Sequence, residues 1–337
     1  MYLAELDKGL SGSQVWLARW ELRSGHKSQY HVFKIGNYQK LNRELEAAQF
    51  ASTIDDLPQM VLLPPHPAPG IRKGLLRQRF MGGSGGGLPK SLRKHLVVID
   101  SVEAAEVLGS LYLERMSKWH GPDDEYSEEE APLGEAIDRW KDVDLLEGAR
   151  GIGKDGLEAS LAAAFATDVE RLEGQRRELL TESEAIAVGP VHGDLHSQNV
   201  LVTNGHLELI DYQMTGEKWR ALDFLMMECS LKFLCGPPHA RLTDLIELEA
   251  RLDPVLAGEP FDARPLMARI YGSELAKIGA AVAVVRALAQ ELGAVSSGSQ
   301  YRRGLYLMTA GLAELPEQIN RVFLFHSLGY HYRALSA

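Results

Sequence analysis

Cysteine is nearly absent: the 337 residues contain two, Cys229 and Cys235. Neither has a companion Cys or His at a metal-binding spacing, which excludes a disulfide framework and a zinc site and leaves two buried thiols. Apolar runs are short, none nearing the roughly 20 residues of a membrane span. A charged-then-apolar leader pattern is missing from the N-terminus, so the expectation is a soluble, cytoplasmic protein without a membrane partner. Positive charge is also scarce, with 36 Lys and Arg against 46 Asp and Glu and a formal net charge of −10. That balance argues against nucleic acid as a partner, and Arg72, Lys73, Arg77 and Arg79 read as charges on a surface hairpin. Internal repeats are lacking.

What is present suits a two-lobed globular chain, with 45% hydrophobic and 24% charged residues. Strand-like patterns run to about Phe80, the Gly-rich stretch Met81 to Gly87 follows, and mainly helical patterns continue to the end. Apolar recurrence predicts helices over 102–119, 157–187, 243–256, 265–292 and 300–325. The Gly-rich stretch reads as an interlobe hinge or as a tether. Residues 122–156, rich in acid and Gly, read as a loop region. Its carboxylates, Asp123 to Glu125 and Glu128 to Glu130, are either a collar for a cationic ligand or a solvated surface. The aromatic and His residues Phe323 to Tyr332 read as core packing ahead of a frayed tail.

The most informative segment is His192-Gly193-Asp194-Leu195-His196-Ser197-Gln198-Asn199, followed by Leu207-Glu208-Leu209-Ile210-Asp211. Asp194 and Asn199 keep the spacing of the H-R-D-x-x-x-x-N catalytic loop, with Gly193 in place of Arg and a second Asp downstream. That pattern fits phosphoryl transfer. Asp194 would take or orient the proton of an attacking hydroxyl, while the Asn199 amide oxygen and Asp211 would hold Mg²⁺ against nucleotide phosphates. The strand-like runs on either side of Asn204-Gly205 predict a hairpin that returns Asp211 to the side of Asn199.

Upstream, Tyr30-His31-Val32-Phe33-Lys34-Ile35 is similar to the V-A-I-K strand, which presents a Lys to the α- and β-phosphates. Period-two geometry puts Val32 on the face of Lys34, against the base. The run Gly9-Leu10-Ser11-Gly12-Ser13 is either a phosphate-covering turn, using Gly9, Ser11, Gly12 and Ser13, or a plain hairpin. Leu41 to Phe50 reads as an amphipathic helix with Leu41, Leu45 and Ala48 on one side; in the kinase arrangement a Glu of this helix pairs with the strand Lys, which would make Glu44, or else Glu46, the partner of Lys34.

His-Gly-Asp with a short hairpin to Ile210-Asp211 resembles the aminoglycoside phosphotransferase and choline kinase superfamily, the small-molecule branch of the protein-kinase-like fold. Ser197-Gln198 stands where that family usually has Pro-Gly. The resemblance implies an α+β, two-lobed fold: an N-lobe over 1–81, a hinge over 82–90 and a helical C-lobe over 91–337. It also implies ATP and Mg²⁺ as cofactors and a small-molecule hydroxyl as acceptor. His192 and Asp223 would then be structural supports of the catalytic loop, although Asp223 reads equally as a helix cap. Three rival readings are a protein Ser/Thr kinase, a catalytically silent binding module and a transferase with a flipped nucleotide. No A-P-E segment follows Asp211-Tyr212-Gln213, which counts against the first.

Overall fold

A computed structural model describes residues 2–5, 14–19, 30–55, 60–63, 73–79, 88–121, 126–137, 141–150, 152–314 and 319–336. The chain is α+β, a strand-rich first part followed by a mainly helical second part. Its first part is an antiparallel sheet of β1 (Tyr2–Glu5), β2 (Gln14–Arg19), β3 (His31–Asn37), β4 (Met60–Leu63) and β5 (Lys73–Arg79), in the order β1-β2-β3-β5-β4. Along β3 the alternation works as expected, since Val32 and Lys34 are buried while His31, Phe33 and Ile35 are only half-buried.

Helix α1 (Tyr38–Ile54) follows β3 directly. It is longer than the sequence pattern predicts because Asn37 caps it, accepting from the Gln39 and Lys40 amides at 2.9 and 3.3 Å. Its buried side holds Leu41, Glu44, Ala48 and Ala51, with Leu45 only partly covered. At its far end Asp55 pairs with Arg115 and, at 3.1 Å, with Lys118, so the helix is fastened to the second part of the chain.

That second part begins with β6 (Lys90–Ser91), α2 (Leu92–Val98) and α3 (Ser101–Ser110), which runs into a π-helical turn over Leu111–Arg115. Then come β7 (Ser127–Pro132), α4 (Leu133–Ala136), α5 (Leu145–Arg150), α6 (Lys154–Phe165), α7 (Val169–Thr181) and β8 (Ser183–Val191). The hairpin of β9 (Val200–Thr203) and β10 (His206–Leu209) precedes β11 (Gly216–Trp219). Among the described residues six α-helices follow: α8 (Ala221–Leu234), α9 (Leu242–Leu252), α10 (Arg264–Met267), α11 (Gly272–Glu291), α12 (Gly298–Gly311) and α13 (Arg321–Ser336).

Several sequence expectations are corrected here. The helix expected over 157–187 is two helices and a strand, broken where Ala166 turns left-handed and Asp168 caps α7. Residues 127–132, expected in a loop, form the outer strand of the sheet β11-β8-β7. Glu128, Glu129 and Glu130 lie exposed on it opposite Ala187, Ile186 and Ala185, so they lead away from the His192 loop rather than around it. The helix expected over 300–325 is interrupted between α12 and α13, and the expected frayed tail is helical to Ser336.

Helix α8 is buried along all of its length, Asp223, Glu228 and Lys232 included. An all-round buried helix is the central post of a helical lobe, and its charges are tolerable only because each is paired. Among the described residues no helix is long and apolar enough to cross a membrane.

Candidate active site

Strand β8 delivers the chain into the loop 192–199, and seven of its eight residues are buried. Asp194 is the exception, so the loop presents one carboxylate and hides its scaffold. Gly193 has φ +76°, and a Cβ there would lie 2.3 Å from the Met214 carbonyl oxygen. This close approach explains Gly in place of Arg, a reason that lies 21 residues downstream in the chain.

Asp223, in the first turn of α8, reaches back to this loop. Its carboxylate accepts the His192 amide at 2.9 Å and the Gly193 amide at 2.8 Å. It is therefore a brace between two segments, not the cap of its own helix. His120, which the sequence reading missed, completes the group: its Nε2 lies 3.2 Å from Asp223 Oδ2. Burial opposes the charge on Asp223, but His120, His192 and the amides hold its pKa below the usual carboxylate range. The His192 ring bonds the Ile210 carbonyl at 3.1 Å, tying the loop to the strand that leads to Asp211.

Ser197 shows what the departure from Pro-Gly does. Its amide, which a proline would lack, donates to Ser230 Oγ on α8 at 2.9 Å, and its carbonyl accepts the Arg93 amide at 2.9 Å. Asn199 turns its side-chain nitrogen to the Asp194 carbonyl at 2.9 Å. That fixes the amide's sense, so the oxygen is directed away from this acceptor.

The predicted hairpin forms with Asn204 and Gly205 as a two-residue turn, both at positive φ. The Ile210 amide bonds the Asn199 carbonyl at 3.0 Å, which sets the two ends of the hairpin side by side. Asp211 follows with φ +67°, an uncommon conformation for a residue with a side chain. Lys34 Nζ lies 2.8 Å from Glu44 Oε2 and 2.6 Å from Asp211 Oδ1, so one ammonium joins β3, α1 and the post-hairpin turn. Glu46, the alternative partner, is exposed and bonds Asn42 instead.

Two carboxylates share this one cation. Burial, then the neighbouring Asp211, pushes Glu44 up to about 7, against the pull of Lys34. Burial works against Asp211 as well, but Lys34, His192 and His196 hold its carboxyl below the usual range. For Lys34 burial favours the neutral amine, and the two carboxylates more than offset it.

These groups line a cleft of about 550 Å³, counted out to its open mouth. Val15, Val32, Met60 and Leu76 of the sheet face Leu201 and Ile210 of the hairpin, giving an apolar slot. Lys34, Asn199 and Asp211 make its polar end. Gln78 spans the slot, donating to the Leu209 carbonyl at 3.0 Å. Gly9, Ser11, Gly12 and Ser13 lie outside the described residues, as do residues 81–87 of the Gly-rich stretch. The donors available for a metal are hard oxygens, the Asp211 carboxylate and the Asn199 amide. Among the described residues no three His, Cys, Asp or Glu side chains cluster to hold a metal by themselves. Two protein oxygens suit Mg²⁺, which usually binds through one or two side chains and completes its shell with phosphates and water.

A family model described as ternary complex associated domain 9 matches residues 155–310. No curated protein matches the sequence. Among solved structures, a thermostable mutant of an aminoglycoside phosphotransferase is similar at 13% identity and TM-score 0.48, over 99% of this chain and 94% of its own. A glucosamine kinase is similar at 13% identity and TM-score 0.45, over 100% and 94%. The choline kinase of Cryptosporidium parvum Iowa II is similar at 15% identity and TM-score 0.43, over 99% and 88%.

Proposed function

We propose that this protein is a cytoplasmic, ATP- and Mg²⁺-dependent phosphotransferase that moves the γ-phosphate to a hydroxyl of a small molecule. The observation that carries the reading is the Lys34 ammonium between Glu44 and Asp211, beside a loop in which Asp194 alone is not fully buried. In this reading residues 1–81 are the nucleotide-covering lobe, 82–90 the hinge and 91–337 the lobe that holds the acceptor. Val32 lies against the base. Lys34, positioned by Glu44, and the turn at Gly9, Ser11, Gly12 and Ser13 bind phosphate oxygens. Asn199 and Asp211 would hold Mg²⁺, which neutralises phosphate charge when bound.

The acceptor oxygen bonds to the γ-phosphorus as the bond to the β,γ-bridging oxygen breaks, ADP leaves, and the acceptor's proton passes to the Asp194 carboxylate. His192 and Asp223 keep that carboxylate in place through the loop backbone. Because the protein does little covalent work in such a transfer, positioning and charge neutralisation carry the rate.

The test is transfer from γ-labelled ATP with Mg²⁺ into cell extract split into small-molecule and macromolecular fractions. Asp194→Asn should lower labelling of the small-molecule fraction by about 10²–10⁴-fold and leave nucleotide binding nearly intact. Asp211→Ala should weaken Mg²⁺-dependent nucleotide binding too. Full activity in Asp194→Asn would end its assignment as the base, and label in protein would move the acceptor to a macromolecule. A second reading, a kinase-fold module that acts by binding within an assembly, draws on the description of the family model over 155–310. Absence of label in both fractions would favour it.

A further inference from the structure

Gln198 stands where the resembling family has Gly, and its side chain is part of the cleft wall. The residue is 6% exposed, and among the described residues no donor reaches its Oε1. A buried acceptor without a partner costs about 1–3 kcal/mol, so a native structure that keeps one invites the question of what satisfies it. Its surroundings narrow the answer. Gln198 immediately precedes Asn199 at the polar end of the cleft, and Ser91, paired with Leu201 in the β6-β9 ladder, lines the same lower wall. Leu201 belongs to the apolar slot. Gln198 is thus placed where the polar end gives way to the apolar one.

We propose that the Gln198 amide oxygen accepts a hydrogen bond from a ribose hydroxyl of the bound nucleotide, making the site selective for ribonucleotides over deoxyribonucleotides. This rests on the nucleotide reading of the cleft and adds to it a determinant of sugar specificity. Among the nucleotide's own groups the choice follows by elimination. Triphosphate oxygens at neutral pH only accept, so they offer this oxygen nothing. The donor of an adenine ring is its amino group, which goes with the base into the apolar slot. Between base and phosphates a nucleotide carries two donors, the 2′- and 3′-hydroxyls. A glycine at position 198 would have no side chain to receive either.

A site with a buried group aimed at a hydroxyl rejects the analogue lacking that hydroxyl, because the group is then left unpaired again. One such bond corresponds to about tenfold in affinity. The experiment is equilibrium binding of Mg-ATP, Mg-2′-deoxy-ATP and Mg-3′-deoxy-ATP to the wild type, Gln198→Leu and Gln198→Gly, with thermal unfolding of each protein. Wild type should bind one of the two deoxy analogues about tenfold more weakly than ATP. In both variants that ratio should fall to about one, mainly through weaker binding of ATP, while the unfolding temperature holds or rises.

Equal binding of all three nucleotides by the wild type would overturn the inference and leave the nucleotide reading standing. So would a folded variant that keeps the wild-type ratio. If the wild type binds no nucleotide, the reading of the cleft fails and the inference falls with it. Should the variants fail to fold, the wild-type ratio decides alone.

Discussion

Two kinds of residue hold the candidate site together, those that bear charge and those that leave room for them. Gly193 is the second kind. Its φ of +76° already disfavours a side chain, and the Met214 carbonyl oxygen 2.3 Å from the position of a Cβ makes the space unusable. Gly193→Ala should cost at least about 2 kcal/mol in urea unfolding and lower phosphoryl transfer more than it lowers nucleotide binding, because the Asp223 brace ends on the Gly193 amide. An unchanged unfolding midpoint with full activity would remove this account. At this scale the sequence was legible where function depends on a short spacing. Asp194, Asn199 and Asp211 stood out by their spacing, and the folded chain brings Asn199 and Asp211 to one cleft; His120 gave no such signal, since its partner Asp223 is 103 residues away and a lone His carries no local pattern. Gln198 was legible only as a departure from a pattern; that its oxygen lacks a partner is visible in the folded chain alone.

Elements turn those residues into a site through two local devices. The first is α1, whose Glu44 meets Lys34 while its capped start and its Asp55 end fix the axis. The second is the β9-β10 hairpin, whose two-residue turn sets the register that returns Asp211 to Asn199. Gly205 in that turn has φ +79° and open space around its Cα. Gly205→Ala therefore meets the conformational cost without a clash, about 1 kcal/mol, and should leave transfer activity near the wild-type level. Urea unfolding beside the labelling assay checks both halves; a loss of activity at preserved stability would show that the turn does more than set register. Both devices were readable because their signals are contiguous: a strand-like run, a turn dipeptide, an amphipathic repeat. The breaks in the helical lobe were not, because apolar recurrence continues across them. Ser183 to Ala187 carry enough apolar residues to pass for helix, and it is pairing with β7 that makes them strand.

At the scale of the whole molecule, the helical lobe is organised around buried charge. Glu228 on α8 accepts from Arg286 on α11 at 2.6 and 2.9 Å and from Tyr301 on α12 at 2.8 Å. Lys232, one turn along α8, pairs with Glu228 and with Glu249 on α9, and bonds Ser327 on α13 at 3.0 Å. Two carboxylates and two cations balance, so the helix that carries Asp223 and Ser230 is linked to four others without net charge. His331 on α13 adjoins this set, fully buried, its Nε2 3.7 Å from Glu249 and both ring nitrogens without a hydrogen-bond partner among the described residues. Burial, then Lys232 and Arg286, push its pKa well below the usual value despite Glu228. A depressed base destabilises on the acid side: below its unfolded value of about 6.5, the unfolded chain binds a proton that the folded one refuses. Stability on this account is intact above that pH and falls by up to about 1.4 kcal/mol per pH unit beneath it. His331→Leu removes that proton and leaves no polar group unpaired at the position, so it should be close to neutral at pH 7.5 and relatively stabilising at pH 5, by at most about 2 kcal/mol. Other histidines with lowered values, His326 among them, keep some acid sensitivity in the variant, so the quantity to read is the difference in slope between the two proteins. Parallel slopes from urea unfolding at pH 5 and 7.5 would mean that His331 is protonated equally in both states, and that the balance of the quartet does not reach it.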